Sequence, residues 1–258
     1  MADLNNQFLW FELLTQNSAR AEKFYRNVIG WRTDVWEGGA VPYTLLIADD
    51  DVIGGMITLP KGARKQGALP HWLGYVCVND VDASTDQAQQ LGASLLFPAT
   101  DIPEVGRFSV INDPQGAGIA LYTPLADAPP ANTAPQRGRM IWHELVTTDP
   151  DAAWNFYHEL FDWNRTDAIQ TEQQGTYQMF GTGGRTLGGI IAKPADMPGP
   201  SAWLYYTTVD SLDAALTRVA ANGGRVLNGP MEVPGGDVVA QCMDPQDAIF
   251  ALHQIRPA

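Results

Sequence analysis

Basic residues are few in this chain. Its 16 Lys and Arg stand against 29 Asp and Glu, a net charge of −13. No nucleic-acid partner is expected, because gripping phosphates needs a basic face. No long unbroken apolar run is present, so no membrane-crossing helix and no membrane partner are expected. Cysteine is scarce too. Cys77 and Cys242 lie at non-equivalent places and form neither a disulfide framework nor a CxxC pair. The opening residues Met1 to Gln7 lack a basic n-region, so no signal peptide is expected and a reducing cytoplasm is the expected compartment. No GxSxG elbow, Walker loop or Rossmann glycine pattern occurs. What is present is a globular composition, 45% hydrophobic and 17% charged.

The chain also says the same thing twice. Trp10-Phe11-Glu12-Leu13 returns in the second half as Trp142-His143-Glu144-Leu145, and Phe24-Tyr25 returns at the same offset as Phe156-Tyr157. Gly54-Gly55 returns at nearly that offset as Gly188-Gly189, and so does Asp113-Pro114-Gln115 as Asp244-Pro245-Gln246. Landmarks in one order at nearly one spacing mark a tandem duplication. Residues 1–123 form module 1, residues 124–138 a linker rich in Pro and Ala, and residues 139–258 module 2.

Each module carries the same periodic signals. Phe8 to Leu14 alternates as a strand. Asn17-Ser18 offers an N-cap, and Ala21, Phe24, Tyr25 and Val28 fall at i, i+3, i+4 and i+7 of an amphipathic helix that Gly30 ends. Module 2 repeats the helix at Ala153, Phe156, Tyr157 and Leu160, after Asp149 as cap and Pro150 as first helical residue. Strands are expected at Tyr43 to Ala48, Val52 to Leu59, His71 to Val78, Arg107 to Ile111 and Ile119 to Tyr122, with a bulge or bend at Gly54-Gly55. Their copies are expected at Tyr177 to Phe180, Leu187 to Ala192, Ala202 to Val209, Val238 to Met243 and Ile249 to Gln254. Further helices are expected at Asp80 to Leu91 and Ser211 to Ala221. Lys61 to Pro70 and Asp196 to Pro200 read as loops. Each module is thus β-α-β-β twice over, with a third strand in each unit left open.

With Phe24-Tyr25, Gly30-Trp31, Gly54-Gly55, Val78 to Asp82, Leu91-Gly92 and Asp113-Pro114-Gln115-Gly116 in that order, and matching landmarks in module 2, the chain resembles the vicinal oxygen chelate superfamily of glyoxalase I, bleomycin-resistance proteins and extradiol dioxygenases. The resemblance implies an α+β fold, a tandem pair of glyoxalase-like modules built from βαβββ units. Their curled mixed sheets would surround a cleft, with helices outside. It also implies a small-molecule ligand or substrate and one divalent metal held by His, Gln or Glu. Carried onto this chain, the ligand positions fall near Trp10, Trp142, Leu73, Leu204, Ala120 and Ala251. An indole N–H has no lone pair to give, and Leu and Ala have no donor. No metal ligand is therefore assigned, although a metal cofactor is what the resemblance implies.

Alternation along the strands turns Trp10, Glu12, Trp142, Glu144, Ala120, Tyr122, Ala251 and His253 toward the expected cleft, and Phe11, Leu13, His143 and Leu145 toward the helices. Glu12, Glu144 and His253 are the candidate catalytic groups. A carboxylate on an apolar strand needs a reason, either acid–base work or ligand anchoring, or else a purely structural pairing. Trp10, Trp142, Tyr75, Tyr206 and Tyr122 are the candidate ligand-binding residues, flat surfaces for a flat ligand or else core packing. Three readings follow: an enzyme of the glyoxalase lyase, isomerase or dioxygenase kind; a metal-free protein of the resistance type that binds or sequesters a small molecule; or a relative whose cleft is filled by its own side chains. A monomer is expected, because the duplication supplies the pairing that single-module relatives obtain by dimerising.

Overall fold

Asn17 opens the first helix by accepting the backbone N–H of Arg20 on its side chain, and Asp80, Asp149 and Ser211 open three others the same way. The computed structural model describes residues 4–38, 41–65, 67–125 and 136–256. In chain order the elements are β1 (Phe8–Thr15), α1 (Ser18–Val28), β2 (Arg32–Trp36), β3 (Tyr43–Ala48), β4 (Asp51–Thr58), α2 (Lys61–Lys65), β5 (His71–Cys77), α3 (Val81–Gln90), β6 (Ser94–Ile102), β7 (Gly106–Asn112) and β8 (Gly118–Pro124). Then follow β9 (Met140–Thr147), α4 (Pro150–Phe161), β10 (Asn164–Thr171), β11 (Gly175–Thr182), β12 (Arg185–Ala192), β13 (Ala202–Thr208), α5 (Leu212–Ala221), β14 (Arg225–Glu232), β15 (Val238–Met243) and β16 (Ile249–Gln254). The pattern is βαβββ four times, an α+β fold with two such units in each repeat. Most of the 124–138 linker lies outside the described residues.

Two eight-stranded mixed sheets result, in the orders β2-β3-β4-β1-β5-β8-β7-β6 and β10-β11-β12-β9-β13-β16-β15-β14. The strands left open by the sequence are β2, β6, β10 and β14, the outermost of each sheet. They are exposed on both faces nearly throughout, so no alternation marks them. Lys61 to Lys65, expected as loop, is a short helix with no buried residue and so no apolar period to reveal it. The expected bulge lies just before each glycine pair: pairing of β3 with β4 skips Ile53, and pairing of β11 with β12 skips Leu187.

By packing, the chain forms two compact units, and each draws on both repeats. One gathers the residues up to Leu9, the stretch from Leu73 through β8, and Trp142–Trp203; the other gathers Trp10–Trp72, the turn before β9, and the chain from Leu204 onward. Inside each unit the repeated motifs meet. In the second, the buried Tyr25 hydroxyl donates to Asp244 Oδ2 at 3.2 Å and accepts from Trp72 Nε1 at 3.1 Å. Asp244 Oδ1 also accepts the backbone N–H groups of Gln246 and Ala248 at 2.7 and 3.0 Å, which shapes the turn. In the first unit Tyr157 donates to Asp113 at 2.9 Å and accepts from Trp203 at 3.0 Å, while Asp113 takes the N–H groups of Gln115 and Ala117. Burial raises the pKa of both aspartates, against these donors.

Aromatic rings pack alongside aliphatic side chains in each unit's core. Trp163 stacks on Phe180 at 4.4 Å and on Tyr157 at 5.6 Å in one, and Tyr25 packs against Trp31 and Phe250 in the other. His143 lies in the first of these cores, 4.2 Å from the Phe8 ring. Burial depresses its pKa to about 3. A histidine whose folded pKa lies below its unfolded value contributes stability above about pH 6.5 that is lost as pH falls toward 3. His143→Phe is therefore expected to flatten the acid side of the stability curve between about pH 6.5 and 4, read by urea melts at each pH. A slope equal to the wild type's would show that other groups govern it.

Candidate functional site

On the face of β1 away from the buried Phe11 and Leu13 stand Trp10 and Glu12, both half-buried. The Trp10 indole N–H donates to the Tyr43 hydroxyl at 3.0 Å, and Tyr43 in turn hydrogen-bonds Glu12. Tyr43 starts two strands away and reaches Glu12 because Gly55 lies between them. Strand pairing sets Glu12 opposite Gly55 and Tyr43 opposite Ile57, and a Cβ at position 55 would collide with the tyrosine ring.

The other unit holds the twin. Trp142 donates to Tyr177 at 2.8 Å, Tyr177 donates to Glu144 Oε2 at 3.1 Å, and Gly189 leaves room beneath the Tyr177 ring. Burial, and then the Glu12 carboxylate, push the Tyr43 phenol well above its ordinary pKa despite the Trp10 N–H. The phenol therefore stays protonated, with its hydrogen available to the carboxylate and a lone pair taken by the indole. The indole is fixed at its nitrogen and offers a ring of set orientation. Tyr43 and Tyr177 were not singled out from the sequence. Their signal was there: the second tyrosine follows the first at the same offset as the glycine pairs beneath them.

The remaining candidates fall in two settings. In one unit, buried Tyr75 lies 5.9 Å from Phe108 and 6.3 Å from Tyr122, and Phe108 stacks on exposed Phe97 at 5.3 Å. These four rings stand on the neighbouring strands β5, β8, β7 and β6 and form an aromatic ladder. The Tyr122 hydroxyl donates to the Val105 carbonyl at 3.1 Å. In the other unit, at the equivalent places of the second repeat, Tyr206 accepts from Gln241 at 3.1 Å and His253 Nε2 lies 2.7 Å from Asp237 Oδ2. Burial raises the Asp237 pKa, but the N–H of Arg256 and the His253 ring outweigh it and hold the carboxyl below its usual value. Phe97, Phe108 and Asp237 were missed. The first two precede or follow proline and glycine breaks, and Asp237 follows the turn residues Pro234, Gly235 and Gly236. His71 and His158 are exposed, bound through Nδ1 to the carbonyls of Leu69 and Trp163.

The six positions to which the resemblance carries the family's metal ligands offer a metal no lone pair. Trp10 and Trp142 direct their N–H groups to tyrosines, Leu73, Leu204, Ala120 and Ala251 are buried and donorless, and among the described residues no group of three or more His, Cys, Asp or Glu could hold an ion.

A family model described as the Glyoxalase/Bleomycin resistance protein/Dioxygenase superfamily matches residues 7–121 and again 139–251. A Mycobacterium bovis protein named Putative glyoxylase CFP32 is 34% identical over 253 residues, covering 96% of this chain and 94% of its own. Anthracycline biosynthesis protein DauV of a Streptomyces species is 28% identical, over 96% of this chain and 93% of its own. Among solved structures, the Mn(II)-bound glyoxalase from Novosphingobium aromaticivorans superposes with a TM-score of 0.64 at 13% identity, covering 97% of this chain and 82% of that one. No described helix is long and apolar enough to cross a membrane.

Proposed function

Because the chain belongs to the glyoxalase/bleomycin resistance protein/dioxygenase superfamily, we propose that it binds a flat, oxygen-bearing aromatic small molecule and does so without a metal. One observation carries this reading. Where the family places its first metal ligand, both repeats hold a tryptophan tied through tyrosine to a glutamate. An indole held at its nitrogen offers a stacking surface at little entropic cost, and the carboxylate beside it anchors a hydroxyl. The Tyr75, Tyr122, Phe108 and Phe97 ladder adds a second flat surface. The Streptomyces relative's name points the same way, since an anthracycline is a hydroxylated flat polycycle. The protein works as a monomer in the cytoplasm, with no nucleic-acid or membrane partner; a sedimentation mass of twice 28.1 kDa would contradict the first point.

Two measurements test the reading. Elemental analysis after incubation with nickel, zinc, cobalt, manganese or iron(II) and desalting should find far less than one ion per chain. Titration with 1,2-dihydroxyanthraquinone should quench tryptophan fluorescence saturably, with affinity falling about ten-fold or more in Glu144→Gln or Trp142→Ala, the ordinary worth of one charge-assisted hydrogen bond or one ring contact. A stoichiometric ion, or fluorescence indifferent to every flat aromatic tried, would sink the proposal.

A further inference from the structure

The two repeats differ in chemistry at one matched pair of positions. Tyr122 and His253 are equivalent, each following its own Asp-Pro-Gln turn at the same distance, and Gly106 and Asp237 are equivalent ahead of those turns. In the first repeat the tyrosine ring lies over Gly106, where a Cβ would come within 2.7 Å of it, and its hydroxyl is satisfied by the Val105 carbonyl. The second repeat instead holds an imidazole against a carboxylate. The side chain of His253 is 10% exposed, its Nε2 is 2.7 Å from Asp237 Oδ2, and Asp237 Oδ1 is fixed by the Arg256 backbone N–H at 2.8 Å. The other ring nitrogen, Nδ1, is buried and meets no hydrogen-bond partner among the described residues. A buried ring nitrogen left without a partner costs stability and calls for a function or a guest.

From this geometry we infer a second site: His253 and Asp237 form a proton-accepting dyad whose ligand is a phenol or enol, taken by its hydroxyl at Nδ1. The inference stands on its own geometry and not on the Trp-Tyr-Glu reading above. Asp237 is the positioning residue. Its carboxylate keeps the neutral ring's hydrogen on Nε2, which leaves a lone pair on Nδ1. In the transfer step the ligand's O–H bond breaks, its proton joins the Nδ1 lone pair, the ligand keeps the electron pair as an oxyanion, and the imidazolium rests against Asp237. Nothing is oxidised or reduced.

The test uses the full chain labelled with 15N-histidine, His253→Gln identifying the resonance. At pH 7.5 the wild type should show a bare Nδ1 and a protonated Nε2. Adding 4-nitrophenol at a pH low enough that the free phenol is still largely neutral should move Nδ1 toward the protonated position, relative to the free protein at that same pH, and give bound phenolate absorbance. 4-Nitroanisole has the same ring without the proton and should leave Nδ1 alone. Asp237→Asn should mix the two tautomers and weaken 4-nitrophenol binding about ten-fold while near-UV circular dichroism is retained. A free protein with Nδ1 already protonated, an Nδ1 signal that 4-nitrophenol never displaces up to its solubility limit, or an equal response to the anisole overturns the inference; in the second case water alone satisfies the nitrogen. Fluorescence quenching by flat aromatics with an unmoved Nδ1 would reject this site and leave the proposed function standing.

Discussion

Asp244→Ala is expected to lower the unfolding midpoint by about 10 °C. The substitution strands three donors at once, the Tyr25 hydroxyl and the N–H groups of Gln246 and Ala248, inside a buried turn. Unmade hydrogen bonds to a buried charged acceptor cost about 1–3 kcal/mol each, so a total of about 3–5 kcal/mol is reasonable after partial rearrangement, and each kcal/mol moves the midpoint of a domain this size by about 2–4 °C. Tyr25→Phe removes one of the three bonds and should cost about 1–2 kcal/mol. Asp244→Asn keeps an acceptor and should fall between the wild type and the alanine variant. The pH dependence separates the two further. Burial raises the folded pKa of Asp244 above its unfolded value, so this residue favours folding below the unfolded pKa of about 3.9 and loses that contribution as pH rises through the folded pKa. The penalty for Asp244→Asn should therefore be smaller at pH 7 than at pH 4. Calorimetry that finds Asp244→Ala within about 2 °C of the wild type would show that water replaces the carboxylate at little cost.

Gly188→Ala and Gly189→Ala should differ sharply, although each adds one methyl group at adjacent residues. The methyl at 188 would collide with the His143 carbonyl, main chain on the paired strand, which cannot swing aside. The methyl at 189 points to the opposite face and meets the Tyr177 ring, which can. Gly188→Ala is expected to cost about 3 kcal/mol or more and to loosen the pairing of β9 with β12, seen as faster amide exchange along both strands. Gly189→Ala should cost about 1–2 kcal/mol, release Tyr177 from Trp142 and Glu144, and weaken anthraquinone binding as strongly as Tyr177→Phe. Equal stability losses for the two variants would mean that the sheet yields at both places, and binding unchanged in Gly189→Ala would remove Tyr177 from the site.

The duplication, the buried side of each β1-type strand and four of the helices were legible in the sequence because burial imprints a period on it. Phe11, Leu13 and Leu145 read as inward and are inward; His143, the polar member of that face, is buried among rings. The four outer strands were illegible by period, since β6 and β14 expose apolar residues such as Leu96 and Leu227 on no consistent face. The resemblance to βαβββ units supplied them. The site was half legible. Trp10, Glu12 and their copies announced themselves by repeating within one strand, whereas the tyrosine that joins each pair comes from another strand across a glycine. Tyr25 and Asp244 are 219 residues apart, and no local rule could join them.

The crosswise bonds Tyr25–Asp244 and Tyr157–Asp113 also explain which parts of the two repeats have stayed alike. A tyrosine in one copy depends on an aspartate in the other, so neither copy can change its half of the bond without orphaning a group in its sister. The tryptophans at 72 and 203 complete the bonds from within each tyrosine's own repeat. Tyr122 and His253, with Gly106 and Asp237 behind them, have no such dependence on each other, and there the sequences part. Two copies are thus bound to sameness where they depend on each other and free to diverge where they do not, even at buried positions such as His253.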